Sequence, residues 1–451
     1  MEEPTGSTGR THSLVYGVDD RMPAGTAVLV SLQQVAAMVV GVITPALILS
    51  NLLGFAPADT AYLVSMALLA AALGTAIQST RLGPVGSGLL SVTGTSFAFL
   101  QPLIVSGKAG GLPLMFGMSL ATVPIQFLFA PFLPKFRRIF TPLVSGIVVV
   151  LIGLSIIPEA MRGIVEPAGP GAPAWAGGCV AAAVMAAVLA AQALGKPRTR
   201  MISILVGVVT GYVICAAAGW LHAPPASDTW IMLPRLLPHH LAFRAEFFIP
   251  FAFIYVVSII EAMGDITATS QLSGLDTQGP AHWVRIRGGV LGDALTSAVA
   301  ALIGSFPSTT YAQNNGVIQI TGVASRHIGR IMAAILALLG LFPVVARWVT
   351  AMPPAVLGGM ALLLFGLVAV AGLRLILGAG LDHRNSLIVA VSLGIGLGAP
   401  TQAHWLAGLP PLVRTLLESG VSAGGIAALL MNTLLPGGGV QLPANHANES
   451  E

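Results

Sequence analysis

A chain of 451 residues that is 55% hydrophobic and only 8% charged, with a mean hydropathy of +0.86, does not belong among soluble globular domains, where about a quarter of residues are charged. Its net charge of +4 is no nucleic-acid footprint, because the basic residues sit in short clusters between apolar runs. What remains is an all-α polytopic membrane protein, each of whose spans needs roughly 20 apolar residues.

Residues 1–25 are polar, mixed in charge and without a cleavable signal pattern, so they read as a retained cytoplasmic N-terminal segment. The first span fits 26–50 and carries Gln33 and Gln34, amides that either glue helices together or support a polar site from behind. A second span fits 60–79 and is closed by Arg81. The stretch 83–107 is rich in Gly, Ser and Thr and poor in helix formers, so Val92 to Phe97 is expected to be extended and followed by a half-helix. Spans then fit 112–133, 139–158, 174–194 and 201–220, ahead of a polar connection at 221–246. The second half offers 247–270, 288–304, a broken 309–324, 328–348, 353–374, 384–400 and 418–436, then a polar tail. Twelve to fourteen crossings fit, and with fourteen alternating ones clusters such as Lys135, Arg137 and Arg138 or Arg326 and Arg330 all fall on one side, which predicts that both termini are cytoplasmic, the membrane being expected to be the cell (inner) membrane. Cys179 and Cys215 form no metal or disulfide spacing and read as packing or lipid-facing residues.

Each half contains an interrupted third span, TGTSFAFL in the first and PSTTYAQNNGVIQITG in the second. Seven spans per half is an odd number, so the second repeat must enter the membrane inverted. Paired broken spans in two halves are the best sequence pointer to a midplane transport site.

Three carboxylates lie in sequence that otherwise reads as span. Glu261 and Asp265 are four residues apart and share a helix face, and Asp293 follows on the next span. A carboxylate at the bilayer centre costs roughly 2.5–3.5 kcal/mol, so the three mark a polar site. Gln313 and Asn314 open the second half-helix, and Ser96 and Phe97 the first. Half-helix N-termini present positive dipole ends to such a cavity. A primary amide both donates and accepts, which suits the C=O/N–H edge of a purine or pyrimidine dione, while Phe97 either stacks on the ring or packs in the core. Glu261 is placed opposite ring N–H groups, where a buried carboxyl makes protonation and substrate occupancy depend on each other. Asp265 and Asp293 either share that proton, organise the site or cap broken backbone. The histidines read as loop residues, and neither a metal nor a cofactor is called for.

These segments resemble the nucleobase-ascorbate transporter family, also called nucleobase:cation symporter-2. QNNGVIQITG (313–322) is similar to the family signature, and EAMGDITATS (261–270), RGGVLGD (287–293) and GTSFAF (94–99) match its other site segments. LVYGVDDR (14–21) and GPVGSGLLS (83–91) are similar to bacterial xanthine permeases in particular. The resemblance implies fourteen spans in two inverted seven-span repeats, with short β-segments in spans 3 and 10. A core domain would take 26–137 (spans 1–4) and 247–348 (spans 8–11); a gate domain would take 138–222 (spans 5–7) and 349–436 (spans 12–14). An extracytoplasmic connection at 223–246 and a cytoplasmic tail at 437–451 complete the chain. It also implies a homodimer with an elevator-like core, carrying a nucleobase with a proton. Glu261 and Gln313 would hold the base, Phe97 would stack on it, and Ser96, Asn314 and Gly316 would complete the binding set. Gln34 and Thr310 would support it, and Glu261, Asp265 and Asp293 would serve proton coupling. Gln at 313, where uracil carriers of the family tend to have Glu, favours a purine such as xanthine or urate. Many bacterial members have His where Gln34 stands, so a titrating imidazole is absent there.

Rival readings are a uracil:proton symporter of the same family and an anion carrier of the sulfate transporter type, which lacks the QNxG signature. MGD (263–265) and LGD (291–293) also resemble pieces of intramembrane aspartyl proteases. Those need Tyr-Asp and Gly-x-Gly-Asp, and position 264 is Gly while the second run is GVLGD, so an enzyme is not expected.

Overall fold

The computed structural model describes residues 14–133, 141–169, 171–196, 199–200, 202–221, 230–277 and 279–435. Residues 1–13, the cluster Lys135, Arg137 and Arg138, residues 222–229 of the connection and the tail from 436 lie outside them.

Helix α1 (Ala24–Leu53) ends at Gly54, whose φ of 65° lets its N–H turn back onto the Asn51 and Ser50 carbonyls. Helix α2 (Pro57–Thr80) starts on a proline, which gives up no needed donor in a first turn. A short strand β1 (Thr93–Thr95) follows, then a 3-10 turn (Phe97–Phe99) that leads into α3 (Leu100–Thr122). The expected break between a half-helix and a separate segment from 112 falls at Gly111, whose φ of 63° and ψ of −161° are non-helical and divide α3 into two helical pieces. Next come α4 (Pro142–Val165), α5 (Ala176–Ala193) and α6 (Ser203–Ala217). The second half begins with α7 (Phe248–Leu272) and α8 (Pro280–Ile303). Helix α8 starts eight residues before the expected 288, because Pro280 fits its first turn and the polar residues after it are tolerated at a helix end. Strand β2 (Ser308–Thr310) precedes α9 (Gln313–Thr321), and α10 (Arg326–Leu341), α11 (Pro354–Gly378), α12 (His383–Gly398), α13 (Pro411–Glu418) and α14 (Gly420–Leu434) complete the chain.

Among the described residues eight helices are long and apolar enough to cross a membrane, or nine if α13 and α14, which meet at 98°, form one broken crossing. Helices α10 and α12, at 16 residues, and α6, at 15, fall short of a full span by themselves. The protein is therefore a mostly helical, multi-pass membrane fold.

The helices pack in two groups. In the first, α2 lies against α10 and α8, α1 against α10 and α2, and α7 against α8 and α3. In the second, α4 runs along α11, α5 packs on α6 and α11, and α12 packs on α14. The α4–α11 seam is built from small residues: a Cβ on Gly153 would sit 2.6 Å from the Ala369 nitrogen, and one on Gly372 only 2.5 Å from the Val150 nitrogen. Without a hydrophobic force between helices in lipid, such backbone approach supplies the packing energy.

The two strands join the halves of the chain. They pair antiparallel with Thr93 opposite Thr310, Gly94 opposite Thr309 and Thr95 opposite Ser308. The ladder extends through Ser96 N–H to the Pro307 carbonyl (2.8 Å) and Tyr311 N–H to the Val92 carbonyl (2.9 Å). Its outer N–H groups find side chains instead of water: Thr93 donates to Thr75 Oγ1 at 3.1 Å and Ser308 to Ser297 Oγ at 3.0 Å. Non-helical backbone survives at membrane depth only when satisfied in this way. Position 94 must be glycine, since a Cβ would stand 2.6 Å from the Tyr311 ring.

Candidate functional site

A cavity of about 1340 Å³ lies where the two packing groups meet. One wall is a single face of α7, on which Glu261, Gly264, Asp265 and Ala268 recur at helical spacing. Gln313 and Gly316 of α9 and Phe97 of the turn after β1 contribute a second wall. Val148 and Ile152 of α4 with Leu364 and Val368 of α11 supply an apolar third. The volume exceeds the 300–1,000 Å³ usual for a small-molecule pocket, because the cavity runs along α7 from Val256 to Gln271, roughly 22 Å of helix.

The carboxylates are held differently. Glu261 Oε2 is buried and has no hydrogen-bond partner among the described residues. Asp265, 9% exposed, accepts from the Thr310 hydroxyl at 3.4 Å. Asp293 is fully buried behind β2 and off the cavity wall; it accepts from Gln78 Nε2 at 2.9 Å and from the Thr310 N–H at 3.3 Å. Thr310 thus bridges the two aspartates, one through its side chain and one through its backbone.

The other expected residues separate into two sets. Phe97, Gln313, Gly316 and Thr310 join Glu261 and Asp265 on the wall. Asn314 faces away from it: its Nδ2 donates to the Leu90 carbonyl at 2.6 Å, which ties the start of α9 to the segment before β1. Ser96 and Gln34 are wholly buried and off the wall, and neither side chain has a hydrogen-bond partner among the described residues.

Three residues escaped the sequence reading. Gln78 of α2 donates to Asp293 and to the Gly289 carbonyl, each at 2.9 Å, and accepts from the Ser87 N–H at 2.9 Å. Every one of its contacts joins α2 to a neighbouring element; an amide inside an apolar span, the signal used for Gln34, would have found it. Tyr311 has its hydroxyl 2.8 Å from the Thr95 carbonyl and stacks near Phe97, with centroids 6.3 Å apart at 23°. Phe97 also meets the edge of Phe365 at 5.4 Å, across the boundary between the packing groups. His282, expected in a loop, lies on α8 and lines the cavity; its Nε2 is 3.2 Å from Thr267 Oγ1, whose own hydrogen goes to the Met263 carbonyl.

An acid, an amide and an aromatic face around one shared cavity can hold a planar molecule with alternating donors and acceptors. Among the described residues no group of His, Cys, Asp and Glu is placed to hold a metal ion.

The sequence matches the model of a permease family over residues 25–404. It is 39% identical to xanthine permease XanQ of Escherichia coli K12, with 94% of each chain covered. It is 37% identical to xanthine permease XanP of the same strain, covering 96% of this chain and 97% of that one. A putative purine permease of Clostridium perfringens is 35% identical, covering 94% and 93%. Two solved structures share the fold at low identity. They are the transmembrane domain of the cyanobacterial bicarbonate transporter BicA (TM-score 0.57, 15% identity, 91% of this chain and 99% of that one) and murine Slc26a9, an anion transporter (TM-score 0.62, 11% identity, 92% and 69%).

Proposed function

The chain belongs to the nucleobase:cation symporter-2 permease family, and from that premise we propose that it carries xanthine, with urate as a further cargo, into the cell by proton symport. It is a transporter and not an enzyme. The observation that carries the substrate reading is the shared cavity of Glu261 and Gln313, on α7 and α9 of the second half, with Phe97 of the first half on the same cavity. A carboxylate accepts from ring N–H groups while an amide pairs with a neighbouring C=O/N–H edge, and Phe97 covers the ring. Asp265 and Asp293, linked through Thr310, lie one helical turn from Glu261 and one layer behind the wall. In this reading the proton enters on Glu261 and the aspartates shape the field it meets, with Ser96, Asn314, Gly316 and Gln34 forming and backing the floor.

The wider proposal is a chain of fourteen crossings in two inverted repeats. The first packing group is the core (26–137 and 247–348) and the second the gate (138–222 and 349–436). Both termini face the cytoplasm, and the core moves past the gate in an elevator-like step within a homodimer. The apolar wall offered by α4 and α11 supports this, since a sliding surface needs few directional bonds.

The test is uptake of labelled xanthine, urate and uracil into cells without such carriers, with and without a protonophore and with excess sulfate. Xanthine accumulation that the protonophore abolishes and sulfate leaves alone is the expected result. Uracil uptake without xanthine uptake overturns the assignment at Gln313, and sulfate competition overturns the nucleobase reading.

A further inference from the structure

Away from that site, a groove of about 410 Å³ shares no lining residue with the large cavity. Asp19 of the N-terminal segment, Arg81 and Gly88 of the turn after α2, Arg285 of α8 and Arg326 of α10 surround it. Three arginines against one aspartate leave two positive charges on its wall. Arg326 pairs with Asp19 at 2.6 Å, and Arg285 donates one N–H to the Asp276 carbonyl. The Nε atoms of both arginines are nonetheless buried and without an acceptor among the described residues. Buried donors without partners are rare in native proteins and call for an explanation.

Arg81 adds a second observation. Its side chain has no hydrogen bond or ion pair among the described residues, and it repels Arg285, against the stronger pull of the Asp276 carboxylate on that same guanidinium. Its backbone is held at φ 58°, one of two non-glycine residues with positive φ among those described, by an N–H bond to the Ile77 carbonyl at 3.1 Å. Left to solvent, like charges on long side chains separate. Here an unfavourable backbone conformation keeps one of them at the groove.

The geometry points to an anion site for a phosphate group, supplied by the head group of an anionic phospholipid or by a soluble phosphate. Guanidinium forks match phosphate oxygens two at a time, and either the single charge of a phosphodiester or the greater charge of free phosphate offsets the positive excess on the wall. Basic pockets at helix ends are a recognised setting for lipid phosphates. The bound group would tie together the N-terminal segment, the turn after α2, α8 and α10, four parts of one packing group. This inference does not depend on which nucleobase the large cavity takes.

The experiment uses the full-length protein in phosphatidylcholine nanodiscs. One arm adds phosphatidylglycerol and the other inorganic phosphate, and binding is followed by native mass spectrometry and by the thermal midpoint. Arg81→Gln and Arg285→Gln are compared with Arg287→Gln, an exposed residue outside the groove. At least one arm should bind to the unaltered protein and raise its midpoint, with binding at least tenfold weaker in Arg81→Gln and Arg285→Gln and unchanged in Arg287→Gln. A response to phosphatidylglycerol alone identifies a lipid source, and a response to phosphate a soluble one. Xanthine binding that persists in Arg81→Gln shows that the variant is folded. The proposal is overturned if neither probe binds, or if Arg287→Gln weakens binding as much as Arg81→Gln does, since the attraction is then spread over the basic face.

Discussion

At Glu261 the protein keeps a carboxyl oxygen that is buried and without a partner among the described residues, while Asp265 beside it and Asp293 behind the wall are each bonded. Glu261→Gln preserves size and removes the titrating group, so xanthine uptake should fall to background while the protein still reaches the membrane at normal abundance. Normal uptake by that variant would remove Glu261 from the coupling role. Gln78 makes a different prediction. Gln78→Leu strips a donor from Asp293 and an acceptor from the Ser87 N–H, each loss costing about 1–3 kcal/mol. Its thermal midpoint should drop and the pH profile of uptake should move, whereas a merely structural amide would leave the profile of the surviving protein in place. The three carboxylates were legible in the sequence because charge in lipid is costly enough to be conspicuous. Tyr311 was not, because its partner Thr95 lies 216 residues away in the chain, and His282 was not, because only the packing of α8 on α7 brings it to Thr267, whereas Gln78 carried the same signal as Gln34, an amide in an apolar span. Asn314 was legible as a site residue, but the turn of α9 directs it to the Leu90 carbonyl and leaves Gln313 facing the cavity.

Elements were readable where local composition contradicts a regular helix. The Gly, Ser and Thr content before Phe97 and the polar run before Gln313 marked the stretches that hold β1 and β2. The start of α8 was misplaced, because polar residues at a helix end look like a loop until Pro280 is recognised as its first turn. The α4–α11 seam was invisible, since Gly146 and Gly153 meet Gly372 and Ala369 only after more than 200 residues of intervening chain. Gly153→Ala should lower the thermal midpoint in detergent, because its methyl would overlap the Phe365 oxygen and Ala369 nitrogen at 2.6 Å and overpacking typically costs about 1–3 kcal/mol. Gly178→Ala, with open space around its Cβ position, is the control and should leave the midpoint unchanged.

For the whole molecule, the cavity reaching along α7 to Gln271 predicts access from the C-terminal end of that helix. In a background lacking Cys179 and Cys215, Gly264→Cys and Gln271→Cys should both react with a polar thiol reagent applied at the α7 C-terminal end. Xanthine should protect only position 264, which neighbours Glu261; protection of both or neither would place the substrate elsewhere. The strand pair has a further consequence, for biosynthesis. Thr93, Gly94 and Thr95 draw their ladder partners from residues 308–310, so the first half of the chain leaves the ribosome with a stretch of backbone that nothing yet completes. Until the second half arrives, that stretch must borrow water or a chaperone, and an isolated first half should be cleared by membrane proteases. Supplying the second half as a separate polypeptide should rescue it, making the pair a checkpoint on whether translation of the whole carrier has finished.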